Sequence, residues 1–281
     1  MNNIIDGKAL AQKIKDNLKI KATEHNKKHN KQIGLAVVLI GENPASQVYV
    51  RNKIRACNEV GIKSFSHNLP QDITESKLMK LIKDLNKNQE INGILVQLPL
   101  PKHLDEDKTL SFINPTKDVD GFHIQNAGGL FLGHKDILCP CTPTGIIELI
   151  KSTGEPMQGK HAVVVGRSNI VGKPVAMMLL QEGCTVTICH SKTKDLKSIT
   201  KQADILVVAI GRKEFISGDM VKPNAIVIDV GINRHEGKLY GDVNFDEAKQ
   251  VAKFITPVPG GVGPMTIAML LSNTIKASEQ C

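Results

Sequence analysis

The sequence predicts an α/β protein of two domains, each built on a parallel sheet. Short apolar runs that suit buried strands alternate with segments of helical period, which is typical of a parallel sheet flanked by helices. A stretch at about 121–143 is rich in Gly, Pro and polar residues and separates two such alternations. The chain of 281 residues is long enough for two ordinary domains. We therefore place the boundary near residue 140.

In the first half, apolar residues at helical spacing predict a helix over about 6–28. The run 34–41 is apolar and ends in glycine, as expected of a buried parallel strand. Asn43 and Pro44 then predict a helix that continues to about Glu59, because Asn caps helices and Pro suits the first helical position. The other elements expected here are strands over 62–69 and 93–99 and a helix that begins at 74.

The second half predicts a doubly wound sheet, whose ligands lie beyond the carboxyl ends of its strands. A final segment, Met265 to Ala277, is helical by period and is expected to pack back on the first domain, which makes that domain discontinuous. The strands are expected at 160–165, 185–189, 204–209 and 225–230, with helices between them.

Composition excludes several classes of protein. The hydrophobic content of 41% and charged content of 23% are ordinary for a soluble globular protein. No apolar run approaches the roughly 18 residues that span a bilayer, and the first residues lack the features of a secretory signal. We therefore expect a cytoplasmic protein without a membrane partner. The six cysteines lack C-x-x-C spacing, so we expect reduced thiols and no metal site.

The net charge of +8 permits nucleic-acid binding, but the basic residues are scattered. With no Trp and only two Tyr, stacking platforms for bases are scarce, so no nucleic-acid partner is expected. A basic surface suits a polyanionic small molecule equally well.

A glycine-edged turn follows an apolar strand at Val163–Val165 and predicts a dinucleotide site. The turn runs from Gly166 to Gly172 and departs from the G-x-G-x-x-G pattern, with Ser168 where the second glycine would fall. Arg167 in the turn offers a guanidinium suited to phosphate.

The end of the next strand favours NADP over NAD. An acidic residue there would bind the ribose hydroxyls of NAD, whereas basic or hydroxyl groups accept a 2′-phosphate. Here the strand 185–189 is followed by His190-Ser191-Lys192-Thr193-Lys194, without a carboxylate.

A second constellation suits proton chemistry. Tyr49 and Lys53 are four residues apart on a predicted helix, so they share a face and the phenol can hold the amine in place. Most helix lysines are solvated surface residues, but Gln97 should emerge at the carboxyl end of a strand, where its amide can orient an amine. A partly desolvated amine can act as an acid or base near neutrality.

Two further segments are candidates for ligand binding. Asp118-Val119-Asp120-Gly121 forms an ordinary Asx turn or presents a carboxylate to a planar, amidine-like ring edge; these residues alone leave both open. The segment Thr256–Thr266 holds three glycines and three prolines in eleven residues. We expect it to be neither helix nor central strand but a preformed loop whose backbone approaches a ligand.

Over nearly its whole length the chain resembles the bifunctional methylenetetrahydrofolate dehydrogenase/methenyltetrahydrofolate cyclohydrolase (FolD) family. The matching strings are Tyr49-Val50 with Lys53 and Ala56-Cys57, Gly93–Pro101, Lys117–Phe122, Pro140–Pro143, Gly166–Gly172, Ile228–Asn233, Gly241–Val243 and the Pro/Gly segment 256–266.

The resemblance implies an N-terminal α/β catalytic domain over 1–139, joined by a C-terminal helix at 265–281. It implies a Rossmann-like doubly wound NADP-binding domain over 140–264, with a cleft between the domains. The implied reactions are NADP-dependent oxidation of 5,10-methylenetetrahydrofolate and hydrolysis of the methenyl product to 10-formyltetrahydrofolate. They belong to one-carbon metabolism and supply purine biosynthesis. A homodimer is also implied.

The resemblance also implies a role for each candidate residue. On the folate side, Lys53 is the catalytic amine, Tyr49 orients it and stacks near the folate, Gln97 tunes the amine and Asp120 holds the pterin edge. The NADP contacts implied are Gly166, Arg167, Ser168, Ser191 and Ile232, and the loop residues near the substrate are Pro259, Gly260 and Gly261.

Two other classes of protein compete with this reading. The first is a non-catalytic NADP-binding module, in which Lys53, Gln97 and Asp120 would have no reason to occur together. The second is an RNA-binding protein that uses the charge of +8, which would show a steep salt dependence of its affinity for nucleic acid.

Overall fold

The computed structural model of the protein describes residues 3–280. The chain divides into two compact units. The five-stranded unit comprises the described residues up to Ala11 together with Thr142–Thr266, and the three-stranded unit comprises Gln12–Cys141 and the described chain from Ile267. Among residues 3–280, no helix is both long and apolar enough to cross a membrane.

The helices and strands follow the predicted alternation. The helices in chain order are α1 Gly7–His29, α2 Pro44–Val60, α3 Glu75–Lys87, α4 Glu106–Ser111, α5 Ile124–Leu132, α6 Cys141–Lys151, α7 Gly172–Gln181, α8 Leu196–Thr200, α9 Phe245–Val251 and α10 Val262–Glu279. The strands are β1 Gly34–Ile40, β2 Lys63–Leu69, β3 Gly93–Val96, β4 His161–Val165, β5 Thr185–Cys189, β6 Ile205–Val208, β7 Ile226–Asp229, β8 Asn233–His235, β9 Lys238–Tyr240 and β10 Phe254–Ile255.

The three-stranded unit is built on the sheet β2-β1-β3, in which β1 pairs in parallel with both neighbours. Every residue of β1 is buried, as its continuous apolar run predicted. Helix α2 begins as predicted: Pro44 is its first residue, and the Asn43 side chain accepts hydrogen bonds from the N–H groups of Ala45 and Ser46.

The five-stranded unit has the strand order β10-β7-β6-β4-β5, with every pair parallel. Counted from β4, this is the order 2-1-3-4-5 of a doubly wound sheet, which confirms the predicted fold class. In that order the chain changes direction across the sheet between β4 and β6. The carboxyl ends of these two strands therefore mark the place where ligands of such sheets bind.

Three segments differ from the sequence-based expectation. The Pro/Gly segment was expected to contain no helix, but α10 begins at Val262. Pro264 lies in the first turn of that helix, where an absent N–H leaves no bond unmade. The stretch at about 121–143 contains helix α5, and strands β8 and β9 form an antiparallel hairpin that we did not predict.

The first residues of the chain belong to a different unit from the one predicted. Residues up to Ala11 group with the five-stranded unit rather than with the domain predicted over 1–139. The reason is backbone pairing across the sequence, since the N–H of Ile5 donates to the carbonyl of Ile255 at 2.8 Å and Ile4 forms a parallel bridge with Ile255. The Asn3 amide adds a hydrogen bond to the Lys249 carbonyl. The predicted cleft concerns the relation of the two units and stays a prediction.

The core of the three-stranded unit provides a stability test. Leu78 on α3 is fully buried among apolar side chains, whereas Leu132 on α5 is 68% exposed. We expect Leu78→Ala to lower the free energy of unfolding by about 2–5 kcal/mol, because it removes buried methyl groups and leaves a cavity. Leu132→Ala should change it by less than about 0.5 kcal/mol. Urea denaturation followed by circular dichroism measures both, and equal losses would contradict the assignment of the core.

Candidate functional site

Helix α2 places the Lys53 amine inside the three-stranded unit. The residue is only 7% exposed, and its Nζ donates a hydrogen bond to Oε1 of Gln97 at 3.0 Å. Gln97 directly follows β3, and its own N–H continues the sheet by donating to the Val38 carbonyl. Its Nε2 donates to the Leu98 carbonyl at 2.8 Å, which leaves the amide oxygen facing the amine. The structure thus brings together Lys53 and Gln97, 44 residues apart.

Tyr49 lies on the same helix, but the structure does not join it to the amine as expected. Within residues 3–280, the Tyr49 hydroxyl makes no hydrogen bond to Lys53. The ring is 36% exposed, while Lys53 turns inward to Gln97. Burial raises the pKa of Tyr49, so its phenol stays protonated and can donate a hydrogen bond.

The two aspartates of the Asp118–Asp120 segment differ in what surrounds them. Asp118 is buried, and its carboxylate accepts hydrogen bonds from the N–H of His123 at 2.7 Å and the amide of Asn126 at 2.9 Å. It therefore fixes the backbone that leads into α5. Burial raises the pKa of Asp120 to about 6, and the positive charge of Lys53 acts in the opposite direction. Lys53 and Asp120 thus influence each other electrostatically.

Sequence reasoning missed two neighbours of this group. The Cys141 thiol donates to the Val119 carbonyl at 3.1 Å, and burial and Asp120 raise its pKa, which makes it a poor nucleophile. The Asn273 amide donates to the carbonyls of Val119 and Cys139, at 2.9 and 2.8 Å. Both hold the backbone next to Asp120. The close pair of cysteines at 139 and 141 was a weak signal, but a lone Asn in an apolar helix gave none.

In the five-stranded unit, the turn after β4 passes close to the loop after β6. Gly166 has φ +134°, and a Cβ there would come within 2.3 Å of the Ala209 carbonyl oxygen. A Cβ on Gly172 would come within 2.3 Å of the Gly166 oxygen. Both positions therefore require glycine. Because neither residue has a side chain, a phosphate can approach the backbone of the turn closely.

The backbone of this turn fits an anionic ligand. The Ser168 hydroxyl accepts from the N–H groups of Val171 and Gly172, both at 3.2 Å, where the turn leads into helix α7. In the part of the chain that the structure describes, the N–H groups of residues 167–170 donate no hydrogen bond. Successive free N–H groups of this kind form a site for phosphate, and the exposed Arg167 adds a positive charge beside them.

The turn after β5 presents hydroxyl and basic groups, as expected for a 2′-phosphate. Ser191 and Lys192 are exposed there, and the turn is closed by a hydrogen bond from the His190 N–H to the Thr193 hydroxyl at 2.8 Å. Asp195, the first carboxylate after β5, caps helix α8 by accepting from the Ser198 N–H. These residues fit NADP better than NAD.

The remaining candidate residues lie in the same unit. Ile232 follows β7 and is 45% exposed. Pro259 is exposed and Gly260 partly so, whereas Gly261 is buried. A Cβ on Gly7 would come within 2.0 Å of the Gly261 oxygen, so this part of the loop packs against the N-terminal segment. Among residues 3–280, no group of three or more His, Cys, Asp or Glu side chains could hold a metal ion.

Two family models match successive parts of the chain. Residues 5–120 match the profile of the tetrahydrofolate dehydrogenase/cyclohydrolase catalytic domain, and residues 140–281 match the NAD(P)-binding domain of the same family. The chain is 58% identical over its full length to the bifunctional protein FolD of Listeria innocua and covers 98% of that protein.

Solved structures of the family are also similar to this chain. The chain has a TM-score of 0.97 and 52% identity to the bifunctional enzyme FolD of Campylobacter jejuni, with 99% of this chain and 98% of that one covered. For FolD of Trypanosoma brucei, which was solved with NADP and an inhibitor, the TM-score is 0.95 and the identity 38%, with 99% and 97% covered. The chain belongs to the tetrahydrofolate dehydrogenase/cyclohydrolase family.

Proposed function

We propose that this protein oxidises 5,10-methylenetetrahydrofolate with NADP and hydrolyses the resulting 5,10-methenyltetrahydrofolate to 10-formyltetrahydrofolate. The observation that supports the hydrolysis is the buried amine of Lys53. It donates a hydrogen bond to Gln97, and its charge interacts with that of Asp120. A non-catalytic nucleotide-binding module would not need this group, because burying an amine costs free energy unless the amine is paired.

The oxidation needs positioning more than acid–base catalysis. NADP supplies the acceptor for a hydride from the one-carbon bridge. The lone pair of the neighbouring folate nitrogen assists the loss of that hydride, so the protein need only bring donor and acceptor to within about 3–3.5 Å. In this proposal, the narrow turn at Gly166–Gly172 holds the phosphates, and Ile232 lies at the nicotinamide end.

The hydrolysis needs a base. A water oxygen attacks the methenyl carbon, and the Lys53 amine takes up a proton from that water. The tetrahedral adduct then opens with cleavage of one carbon–nitrogen bond, and the departing nitrogen takes up a proton. Gln97 holds the amine in place without adding charge. Asp120 accepts hydrogen bonds from the pterin edge, and the half-exposed ring of Tyr49 stacks near the folate.

We also propose that the enzyme works in the cytoplasm as a homodimer and that its product supplies purine biosynthesis. The five-stranded unit supports a dimer because β5 lies at the edge of its sheet with Ile188 38% exposed. The unpaired backbone groups of an edge strand are a template for pairing with another chain.

The first test removes the amine. We expect Lys53→Gln to lower the rate of methenyl hydrolysis by about 100-fold or more, because it deletes the proposed base while keeping a polar side chain of similar length. Folate should still bind. Loss of the methenyl absorbance measures the rate, and Lys80→Gln, an exposed lysine on α3, is the matched control. Undiminished hydrolysis in Lys53→Gln would contradict the assignment.

The second test concerns the 2′-phosphate. Each charged hydrogen bond lost should cost about 1.5–3 kcal/mol, so we expect Arg167→Ala with Ser191→Ala to raise the KM for NADP about tenfold or more. The KM for NAD should change little. Steady-state dehydrogenase kinetics with both cofactors measure the shift, and Lys201→Ala, an exposed cation after α8, is the control. An equal rise with both cofactors would refute the role.

The third test uses the pKa of Asp120, which burial raises to about 6. Above that pH the carboxylate is ionised and accepts hydrogen bonds from the pterin, and below it the group is neutral and loses acceptor capacity. The KM for methylenetetrahydrofolate should therefore rise as pH falls through about 6. In Asp120→Asn this step should vanish while the KM stays high. A step of the same size in the variant would assign it to another group.

A further inference from the structure

Two buried carboxylates lie at the carboxyl ends of β6 and β7. Asp229 is the last residue of β7 and is 3% exposed, and Asp242 follows the β8–β9 hairpin and is fully buried. Neither forms an ion pair in the described part of the chain. Each is satisfied by backbone N–H groups of nearby loops, so both serve to shape those loops.

Asp242 holds the loop after β6. Its Oδ2 accepts from the N–H groups of Ile210 at 2.7 Å and Gly211 at 3.0 Å. Its Oδ1 accepts from the N–H of Arg212 at 2.7 Å and from the Asn233 amide at 2.9 Å. Three consecutive N–H groups thus point at one carboxylate, which fixes the path of the loop directly after β6.

Asp229 holds Asp242 in place. Its carboxylate accepts from the backbone N–H of Asp242 at 2.8 Å, of Val243 at 2.9 Å and of Gly231 at 3.1 Å. The last of these contacts also fixes the loop after β7, which carries Ile232 one residue further on.

The glycines around the two carboxylates show how closely they pack. A Cβ on Gly231 would come within 2.1 Å of Oδ1 of Asp242, and a Cβ on Gly241 within 1.8 Å of Oδ2 of Asp229. The sequence thus keeps two glycines so that backbone can approach the carboxylates.

The free-energy cost of burying Asp229 and Asp242, and their position in the sheet, point to a function. Burial, with the charge of Asp242 as a lesser cause, raises the pKa of Asp229 to about 7, so keeping two carboxylates here is unfavourable. The loop in question begins at Ala209, whose oxygen faces Gly166 of the turn after β4. It therefore lies at the switch point of the sheet, where the cofactor of such folds binds.

We propose that Asp242, held by Asp229, is a positioning residue for the nicotinamide cofactor: it fixes the loop Ala209–Arg212 in the conformation that binds NADP. This inference rests on the proposed function. Removal of the Asp242 carboxylate should weaken NADP binding and the oxidation. It should spare the hydrolysis, which uses residues of the other unit and no cofactor.

The test is Asp242→Asn. In either orientation of the new amide, its NH₂ group faces backbone or side-chain N–H donors, so at least two hydrogen bonds are lost. We expect the dissociation constant for NADP, measured by titration calorimetry, to rise about tenfold or more. The KM for NADP should rise in parallel, while the rate of methenyl hydrolysis without cofactor stays within about twofold of the wild type.

Asp204→Asn is the matched control. Asp204 precedes β6 at the opposite end of the same strand, and its carboxylate also accepts a backbone N–H, from His161 at 2.9 Å, and the Lys222 amine at 2.7 Å. This variant should lower the urea midpoint of unfolding without changing the affinity for NADP. If Asp204→Asn weakened NADP binding as much as Asp242→Asn, the effect would be general instability and the proposal would fail.

The remaining outcomes separate the two levels of inference. A wild-type protein that binds no NADP would overturn the proposed function itself. A wild type that binds NADP, with Asp242→Asn binding equally well, would overturn only the positioning role. If Asp242→Asn does not fold, Asn233→Ala tests the same contact, because it removes one hydrogen bond from the carboxylate. It must weaken NADP binding in the same direction, and unchanged binding would count against the proposal.

Discussion

The parallel pairing of strands is the constraint on which both candidate sites depend. Parallel strands need crossover connections, so their carboxyl ends gather at one edge of each sheet. In the three-stranded unit this pairing puts Gln97 just after β3, within reach of the amine of Lys53 on α2. In the five-stranded unit it sets the turn after β4 against the loop after β6, through the contact of Gly166 with Ala209. Backbone hydrogen bonds thus bring together residues far apart in sequence.

Both units bury charged or polar groups at these edges, and each group is satisfied in a different way. Lys53 has one amide oxygen as its hydrogen-bond acceptor and interacts electrostatically with Asp120. Asp229 and Asp242 instead accept several backbone N–H groups each, which uses most of their acceptor capacity. The first arrangement suits chemistry at the amine, and the second suits holding a loop still.

The separation of the two groups between units has a functional consequence for the proposed enzyme. The proposed base for hydrolysis belongs to the three-stranded unit, and the residues proposed for NADP belong to the five-stranded unit. A substitution in one unit can therefore affect one activity and leave the other as an internal measure of folding.

Local patterns were sufficient for much of this protein. The apolar runs, the Asn43–Pro44 start of α2 and the strand-to-glycine turn at Gly166 depend on neighbours in sequence, so the elements could be predicted closely. The motif strings also identified the family. The predicted start of α10 was wrong. The count of Gly and Pro residues indicated a loop, but the first turn of a helix tolerates proline.

Only the tertiary structure decided which side chains meet. The sequence predicted that Tyr49 and Lys53 share one helix face. In the structure the Lys53 side chain is buried, and its amine donates a hydrogen bond to Gln97 at the end of β3. Asn273 gave no pattern at all, since its partners lie about 130 residues away or more. The same holds for Asp242, whose partners lie in the loop after β6, at the end of β7 and at the start of β8. Local spacing fixes secondary structure, whereas the partners of a buried polar group depend on how distant segments pack.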